Sequence, residues 1–360
     1  MDSKASARPW ILARNRVERF FLGGGALDQW QGLDSAQAYG DGAYSEELLV
    51  NTSPYIGPGR PQLQGFSLVE GSRRTLRSLI QEDPAGFLGP DMAQAYGGQC
   101  PALCKAGDST GRLILQYHPT AAFSKRYLHC AFGKTEAWYF LQTRDQEVRY
   151  CYAGFKPGVT RRDFEGMVAR NDVDGMLDAI HKVPFDLGDV ILVPAGTIHA
   201  MGPGVTFLEV HEPCDYTMRF ERDNYGQPMT DNDMHYGLGF KALFDDLDFT
   251  PYTAEEIQRK VRFAPRLLEA GPGWKRWSLL SPGDCPEFAM EKVSLQGRYP
   301  LYALGRYQLV IALRGGASIA GLPLPQGRAA FVPAGAADLD ISAADAEVLL
   351  VIPGLPQKKG

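Results

Sequence analysis

Three short segments carry the side chains best suited to chemistry. In LILQYHP, Gln116 and His118 stand two residues apart, so on a strand both point to the same face. GDVILVPAGTIHA places a Pro194 to Gly196 turn after a strand and His199 three residues beyond Gly196, which aims an imidazole back across the mouth of a barrel. GKTEAWYF supplies Glu136 at the start of another strand, with Lys134 two residues earlier on the same face. Gln116, His118, Glu136 and His199 together offer two nitrogens and two oxygens on rigid strands, a donor set suited to zinc with a position open for substrate. Other divalent metals fit nearly as well. A lone Gln-x-His pair says little, because most histidines are ordinary polar or buried residues, and the combination carries the argument. Of the six histidines, His129 in SKRYLHC, His181 at the end of a helical segment and His235 in DMHYG read as structural.

Strands must position these groups, and the composition supplies them. Forty Gly and 25 Pro punctuate short segments rich in Val, Ile, Leu, Phe and Tyr, the pattern of a mainly β protein with many turns. RLILQYH, EAWYFLQT, DVILVPAG, VTFLEVH, YQLVIALRG, RAAFVPAG and AEVLLVIPG read as strands at the spacing of a sandwich or barrel. Helices are expected in SRRTLRSLIQEDPAGFLG, RRDFEGMVARNDVDGMLDAIHK and AEEIQRKVRFAP.

With 44% hydrophobic and 22% charged residues, the chain has enough apolar side chain for real cores, which excludes wholesale disorder. At 360 residues it has room for about two domains. A net charge of −5 with no long basic run argues against nucleic acid and against a polybasic membrane surface. No segment approaches the roughly 20 apolar residues of a transmembrane helix. The N-terminus lacks an uninterrupted apolar stretch before a cleavage site, so no secretory signal is read and a cytoplasmic location is expected. Six cysteines are too sparse for a disulfide scaffold, and Cys100 and Cys104 have no second pair to complete a zinc knuckle.

VPAGTIHA at 193–200 has a weak echo in VPAGAADL at 332–339, as expected if a double-sheet β unit occurs twice. His199 of the first copy corresponds to Asp338 of the second, so only the first copy keeps imidazole ligands. The boundary is expected in DLDFTPYTAEEIQRK. This gives a catalytic unit over 1–245, including the N-terminal helical elements, and a degenerate unit without metal ligands over 246–360.

Gly188, Pro194, Gly196 and His199 resemble the second cupin motif. LILQYHP, GKTEAWYF and PAGTIHAMGPGVTFLEVHEPCDYTMRF resemble the type I phosphomannose isomerase family in order and spacing, specifically between about 112 and 225. The resemblance implies a mainly β fold of two cupin (jelly-roll β-barrel) units with a few helices. It also implies one zinc held by Gln116, His118, Glu136 and His199. The family places a glutamate ten residues before a catalytic arginine, which carries over to Glu209 and Arg219, and Lys134 is the lysine of its Gly-Lys-Thr-Glu motif. Two positions depart from the pattern. Ile114 stands where the family has a serine that helps hold the substrate phosphate, and Thr120 where it has an aspartate. Phosphate would then fall to Arg112, Lys125, Arg126 or Arg219. His211, two residues past Glu209 on the same strand face, is a ring the family does not normally carry there; a plain strand histidine is the simpler reading and a substrate contact the alternative.

The expected activity is metal-dependent aldose–ketose isomerisation, with mannose 6-phosphate to fructose 6-phosphate leading and a small sugar or sugar phosphate as partner. The metal would act as a Lewis acid, Arg219 would hold developing negative charge, and either Glu209 or Lys134 would carry the proton. Three alternatives stay open: isomerisation of a non-phosphorylated sugar, an iron(II) cupin oxygenase, and a non-catalytic sugar-binding regulator.

Overall fold

The computed structural model describes residues 5–54, 65–145 and 149–356. The chain is mainly β, in sheets whose paired strands all run antiparallel. A five-stranded sheet runs, neighbour by neighbour, Met218–Arg219, Gln116–Tyr117, His199–Met201, Tyr150–Phe155 and Ile180–Pro184. A seven-stranded sheet is built around Val190–Val193, Glu136–Thr143, Val205–His211, Leu103–Asp108 and Glu46–Val50. The two face each other over a shared core in which Trp138, Phe140, Ile191 and Phe207 of the second meet Cys151, Ala153, Val183 and Met201 of the first.

Alternation along the strands explains why the site faces this interior. In VTFLEVH, Leu208 and Val210 point outward into a second core, so Phe207, Glu209 and His211 point inward. In EAWYFLQT, Ala137 and Tyr139 point outward and Trp138 and Phe140 inward. The outward core is shared with Leu309, Ile311, Phe331, Leu349 and Val351 of a nine-stranded sheet formed largely by residues after 265, so the seven-stranded sheet is buried on both faces. The Trp10–Ile11 strand joins the nine-stranded sheet, and Arg262–Phe263 joins the seven-stranded one.

The helical segments are shorter than their periodicity predicts. The first expected helix is two, Leu76–Glu82 and Pro84–Leu88, and a third, Pro90–Tyr96, follows beyond the expected segment, because Pro84 and Pro90 each start a new helix rather than continue one. The second splits at Asn171, which adopts a left-handed conformation and ends Arg161–Arg170 before Val173–Asp178 begins. His181 lies in the Ile180–Pro184 strand, not at a helix end, with Nε2 2.6 Å from the Tyr252 carbonyl. The third helix is Ala254–Val261, and its Ile257 and Val261 pack against the core between the two site-bearing sheets.

Phe164 shows how firmly the helices bind the outer face of the five-stranded sheet. It is fully buried, with ring centroids 5.0 Å from Phe155 and 5.3 Å from Phe220. Phe164→Ala is expected to cost about 3–5 kcal/mol through lost burial and a residual cavity, read as a lower urea midpoint with little change in slope.

Candidate metal centre and adjoining cleft

Each ligand candidate is fixed by its local backbone. Gly196, at φ +86, closes the turn after Val190–Val193 and donates its N–H to the His118 carbonyl at 2.7 Å, tying one ligand loop to the other. That conformation favours glycine. His199 opens its strand, pairs in register with Gln116, and its Nδ1 lies 2.8 Å from the Thr197 carbonyl. His118 Nδ1 lies 2.9 Å from the Tyr216 carbonyl. A carbonyl can only accept, so Nδ1 carries the proton in both rings and each Nε2 presents a lone pair as an acceptor.

Those lone pairs converge on Glu136, with His118 Nε2 3.1 Å from Oε2 and His199 Nε2 3.4 Å from Oε1. All three residues are buried, and their ligand atoms lie within 4.8 Å of one another. Burial favours a neutral Glu136, but the Lys134 ammonium and His118 outweigh it and hold the carboxyl well below its ordinary range. Burial, then Lys134, pushes His118 down to about 3, and burial lowers His199 as well. The centre is thus three proton-free acceptors facing one another, and Glu136 Oε2 has ion contacts but no well-directed hydrogen bond. Acceptors in that arrangement are satisfied by a cation, and the set fits a single metal ion. The carbonyl contacts at Nδ1 fix the tautomer and orientation of each ring, as such contacts do for metal-ligating histidines. The Gln116 side chain lies beside the group with its amide nitrogen 3.3 Å from His199 Nε2, and turning the amide over would present its oxygen instead.

A cleft of about 640 Å³ opens on this group, and Gln116, His118, Lys134, Glu209 and Arg219 all line it. Lys134 precedes the Glu136–Thr143 strand rather than lying on it, yet its side chain is buried. Its Nζ sits 2.9 Å from Glu136 Oε2, 3.1 Å from Glu209 Oε1 and 3.0 Å from His118 Nε2. Although burial opposes it, the pair of carboxylates raises the Lys134 pKa above its ordinary value, so this lysine stays an ammonium. Glu209 moves the other way. Burial, then the charge of Glu136, pushes its carboxyl up to about 7 against the pull of Lys105 and Lys134.

Arg219 lies in register with Gln116, with its guanidinium 5.0 Å from the centroid of the Phe20 ring and donating to the carbonyls of Asp233 at 2.7 Å and Thr217 at 3.3 Å. Among the described residues no carboxylate pairs with it, so its charge faces the cleft uncompensated. The other expected phosphate contacts are elsewhere. Arg112 forms a two-pronged pair with Glu221 at 2.7 and 2.8 Å, and Lys125 and Arg126 are exposed away from the cleft lining.

No protein-family profile matches the chain. Over 127 residues it is 32% identical to mannose-6-phosphate isomerase ManA of Bacillus subtilis (strain 168), covering 35% of this chain and 38% of that protein. Over 119 residues it is 33% identical to mannose-6-phosphate isomerase of Streptococcus mutans serotype c, covering 33% and 35%. The matched stretch thus spans well under half the length of these relatives. In fold the likeness runs nearly end to end. The crystal structure of mannose 6-phosphate isomerase from Bacillus subtilis aligns with a TM-score of 0.73 at 19% identity, covering 95% of this chain and 99% of that one. A mannose 6-phosphate isomerase structure bound with zinc and yttrium aligns with a TM-score of 0.70 at 15% identity, covering 97% and 100%. The chain is therefore similar to mannose-6-phosphate isomerases in sequence over about a third of its length and in fold over nearly all of it.

Against the family pattern, the two departures have physical explanations. Thr120 caps the short Ala121–Phe123 helix and binds Asp246 through both its N–H at 3.0 Å and its hydroxyl at 2.5 Å, so it anchors the Phe240–Asp246 helix instead of lining the cleft. Ile114 does line the cleft, and it packs with Met229 and Met234. What the family motifs did not indicate is a row of charges continuing from Lys134 and Glu209. Lys105 bridges Glu209 at 3.2 Å and Glu46 at 2.9 Å, and Arg19 pairs with Glu46 and with Asp215. A lone lysine inside the buried strand LCKAGD was the available signal.

Proposed function

We propose that this protein is a zinc-dependent aldose–ketose isomerase, with mannose 6-phosphate and fructose 6-phosphate as its substrate pair and an enediolate between them. The observation that supports this most is a cleft lined by His118, the Lys134–Glu209 pair and the uncompensated Arg219, with Glu136 and His199 clustered behind His118 at metal-ligand spacing. The curated relatives are mannose-6-phosphate isomerases, and one structural neighbour was solved with zinc. We take residues 1–245 as the catalytic unit and 246–360 as the degenerate cupin, and place the enzyme in the cytoplasm; among the described residues no helix is long and apolar enough to cross a membrane.

Zinc held by Gln116, His118, Glu136 and His199 would supply Lewis-acid polarisation of the substrate's C1 and C2 oxygens. Glu209 carries the proton between C1 and C2, because its carboxyl exchanges protons near neutrality while Lys134 stays charged. Lys134 contributes fixed positive charge near the developing enediolate, and the charge on Arg219 meets the phosphate or the enediolate oxygen. Stacking on Phe20 and two carbonyl hydrogen bonds hold the guanidinium in place without neutralising it.

Arg219→Ala is expected to lower kcat/KM about 10²–10³-fold, the loss typical of one preorganised donor, with the thermal midpoint nearly unchanged. Arg219→Lys should recover only part of it, since an ammonium cannot reproduce the planar stack. The reading itself is tested by following mannose 6-phosphate and free mannose by proton NMR with purified zinc-loaded protein. Ketose formed from the phosphorylated sugar supports it, and no ketose from either sugar overturns it. Turnover of free mannose alone would favour a non-phosphorylated substrate, the reading to which Ile114 on the cleft wall points.

A further inference from the structure

One buried polar side chain of the first barrel has no part in the chemistry above. His211 follows Glu209 by two residues on the Val205–His211 strand, so both face inward, about 7 Å apart along the strand. Its imidazole is 5% exposed. Nδ1 lies 2.6 Å from the Glu212 carbonyl, which makes Nδ1 the donor and leaves Nε2 with a bare lone pair. Among the described residues nothing donates to that lone pair. Burial, with Lys134 and Lys105 nearby, disfavours a second proton on the ring.

The ring borders a small cavity of about 280 Å³ that shares Arg19, Lys105 and Asp215 with the main cleft. A group entering from the cleft therefore meets two acceptors, His211 Nε2 and the Asp215 carboxylate, and two donors, the Lys105 ammonium and the Arg19 guanidinium, each already paired with carboxylates. An anionic oxygen satisfies the donors but has no hydrogen to give Nε2. A hydroxyl satisfies both. We propose that His211 is a specificity-determining residue that reads one hydroxyl of the sugar, accepting its hydrogen at Nε2 while Lys105 or Arg19 donates to its oxygen. The proposal rests on the isomerase reading for its substrate and on the second cavity for its geometry.

The test compares wild type, His211→Gln and His211→Leu on mannose 6-phosphate and its single-deoxy analogues. His211→Leu should raise KM for the parent sugar about tenfold with kcat within about twofold, the loss expected for one buried neutral hydrogen bond. His211→Gln, which keeps an acceptor, should stay within about threefold. One deoxy analogue should bind wild type and His211→Leu alike, because both lack the same contact. Equal KM changes across every analogue, or a glutamine variant as impaired as the leucine one, would overturn the proposal. A second arm needs neither turnover nor a variant: on adding the non-reacting alditol mannitol 6-phosphate, the ¹⁵N resonance of His211 Nε2 should move as its lone pair accepts a hydrogen bond. An unmoved resonance at saturating alditol rejects the subsite. Should wild type isomerise none of these sugars, the isomerase reading fails while the ¹⁵N arm still decides the role of His211.

Discussion

Glu209→Gln is expected to lower kcat about 10²–10⁴-fold, the range typical of a lost general acid–base, while KM and metal content change little. Glu209 Oε1 lies between two ammonium groups, Lys134 Nζ at 3.1 Å and Lys105 Nζ at 3.2 Å. Each lysine keeps a second carboxylate when Glu209 is neutralised, Glu136 for Lys134 and Glu46 for Lys105, so neither is left as an unpaired buried charge. The isosteric amide fills the same space, so the fold should persist. The measurement is kcat together with deuterium uptake from heavy water into the product. A variant that folds, binds metal and exchanges no deuterium places the proton on Glu209. Wild-type turnover in Glu209→Gln alongside inactive Lys134→Met would move that role to the lysine.

His199→Ala should have the largest effect on the metal. The side chain supplies one of three ligand atoms within 4.8 Å of one another, and the Thr197 carbonyl already holds its ring in the ligating tautomer. Losing an outer-shell partner typically costs 10–100-fold in affinity, so losing the ligand itself should cost more, and activity should fall with it. His181→Ala and His235→Ala are the controls. His181 is bound to the Tyr252 carbonyl and His235 meets Phe240 edge to face, both outside the ligand group, so zinc affinity in those variants should match wild type. Isothermal titration of each metal-free variant with zinc separates the two classes. Equal affinity in His199→Ala and wild type would remove this residue from the site.

The clustering of His118, Glu136 and His199 was legible in the sequence because their positions are set by local geometry. A strand end, a Pro-Ala-Gly turn and a two-residue spacing place Gln116, His118, Glu136 and His199, and each such signal is contained within a few residues. The β architecture was legible for a similar reason: VTFLEVH and EAWYFLQT form strands over their full lengths. By contrast, RLILQYH contributes only Gln116–Tyr117 to a sheet, and the flanking residues reach the site as loops.

The charge row was not legible, because it depends on which strands pair and in what register. Glu209 lies opposite Lys105 on one side and Trp138 on the other, pairings between residues about a hundred and about seventy positions apart. No local pattern encodes them. The choice between Lys134 and Glu209 as proton carrier was closed to sequence for the same reason. What separates them is the surroundings: Lys134 gains two carboxylates and keeps its proton, whereas Glu209 is buried beside the charge of Glu136. The helices were misjudged at their proline and asparagine breaks, where periodicity continues but the backbone does not.

Four side chains from three separate stretches of chain are held to share one divalent ion, and turnover is held to depend on it. Reconstitution decides this most directly: strip the purified protein with a chelator, remove the chelator, and add zinc in steps while following mannose 6-phosphate isomerisation. Activity should vanish on stripping and return along a line that breaks at one zinc per chain. Full turnover in the stripped protein, or a return that needs no metal, would contradict the account.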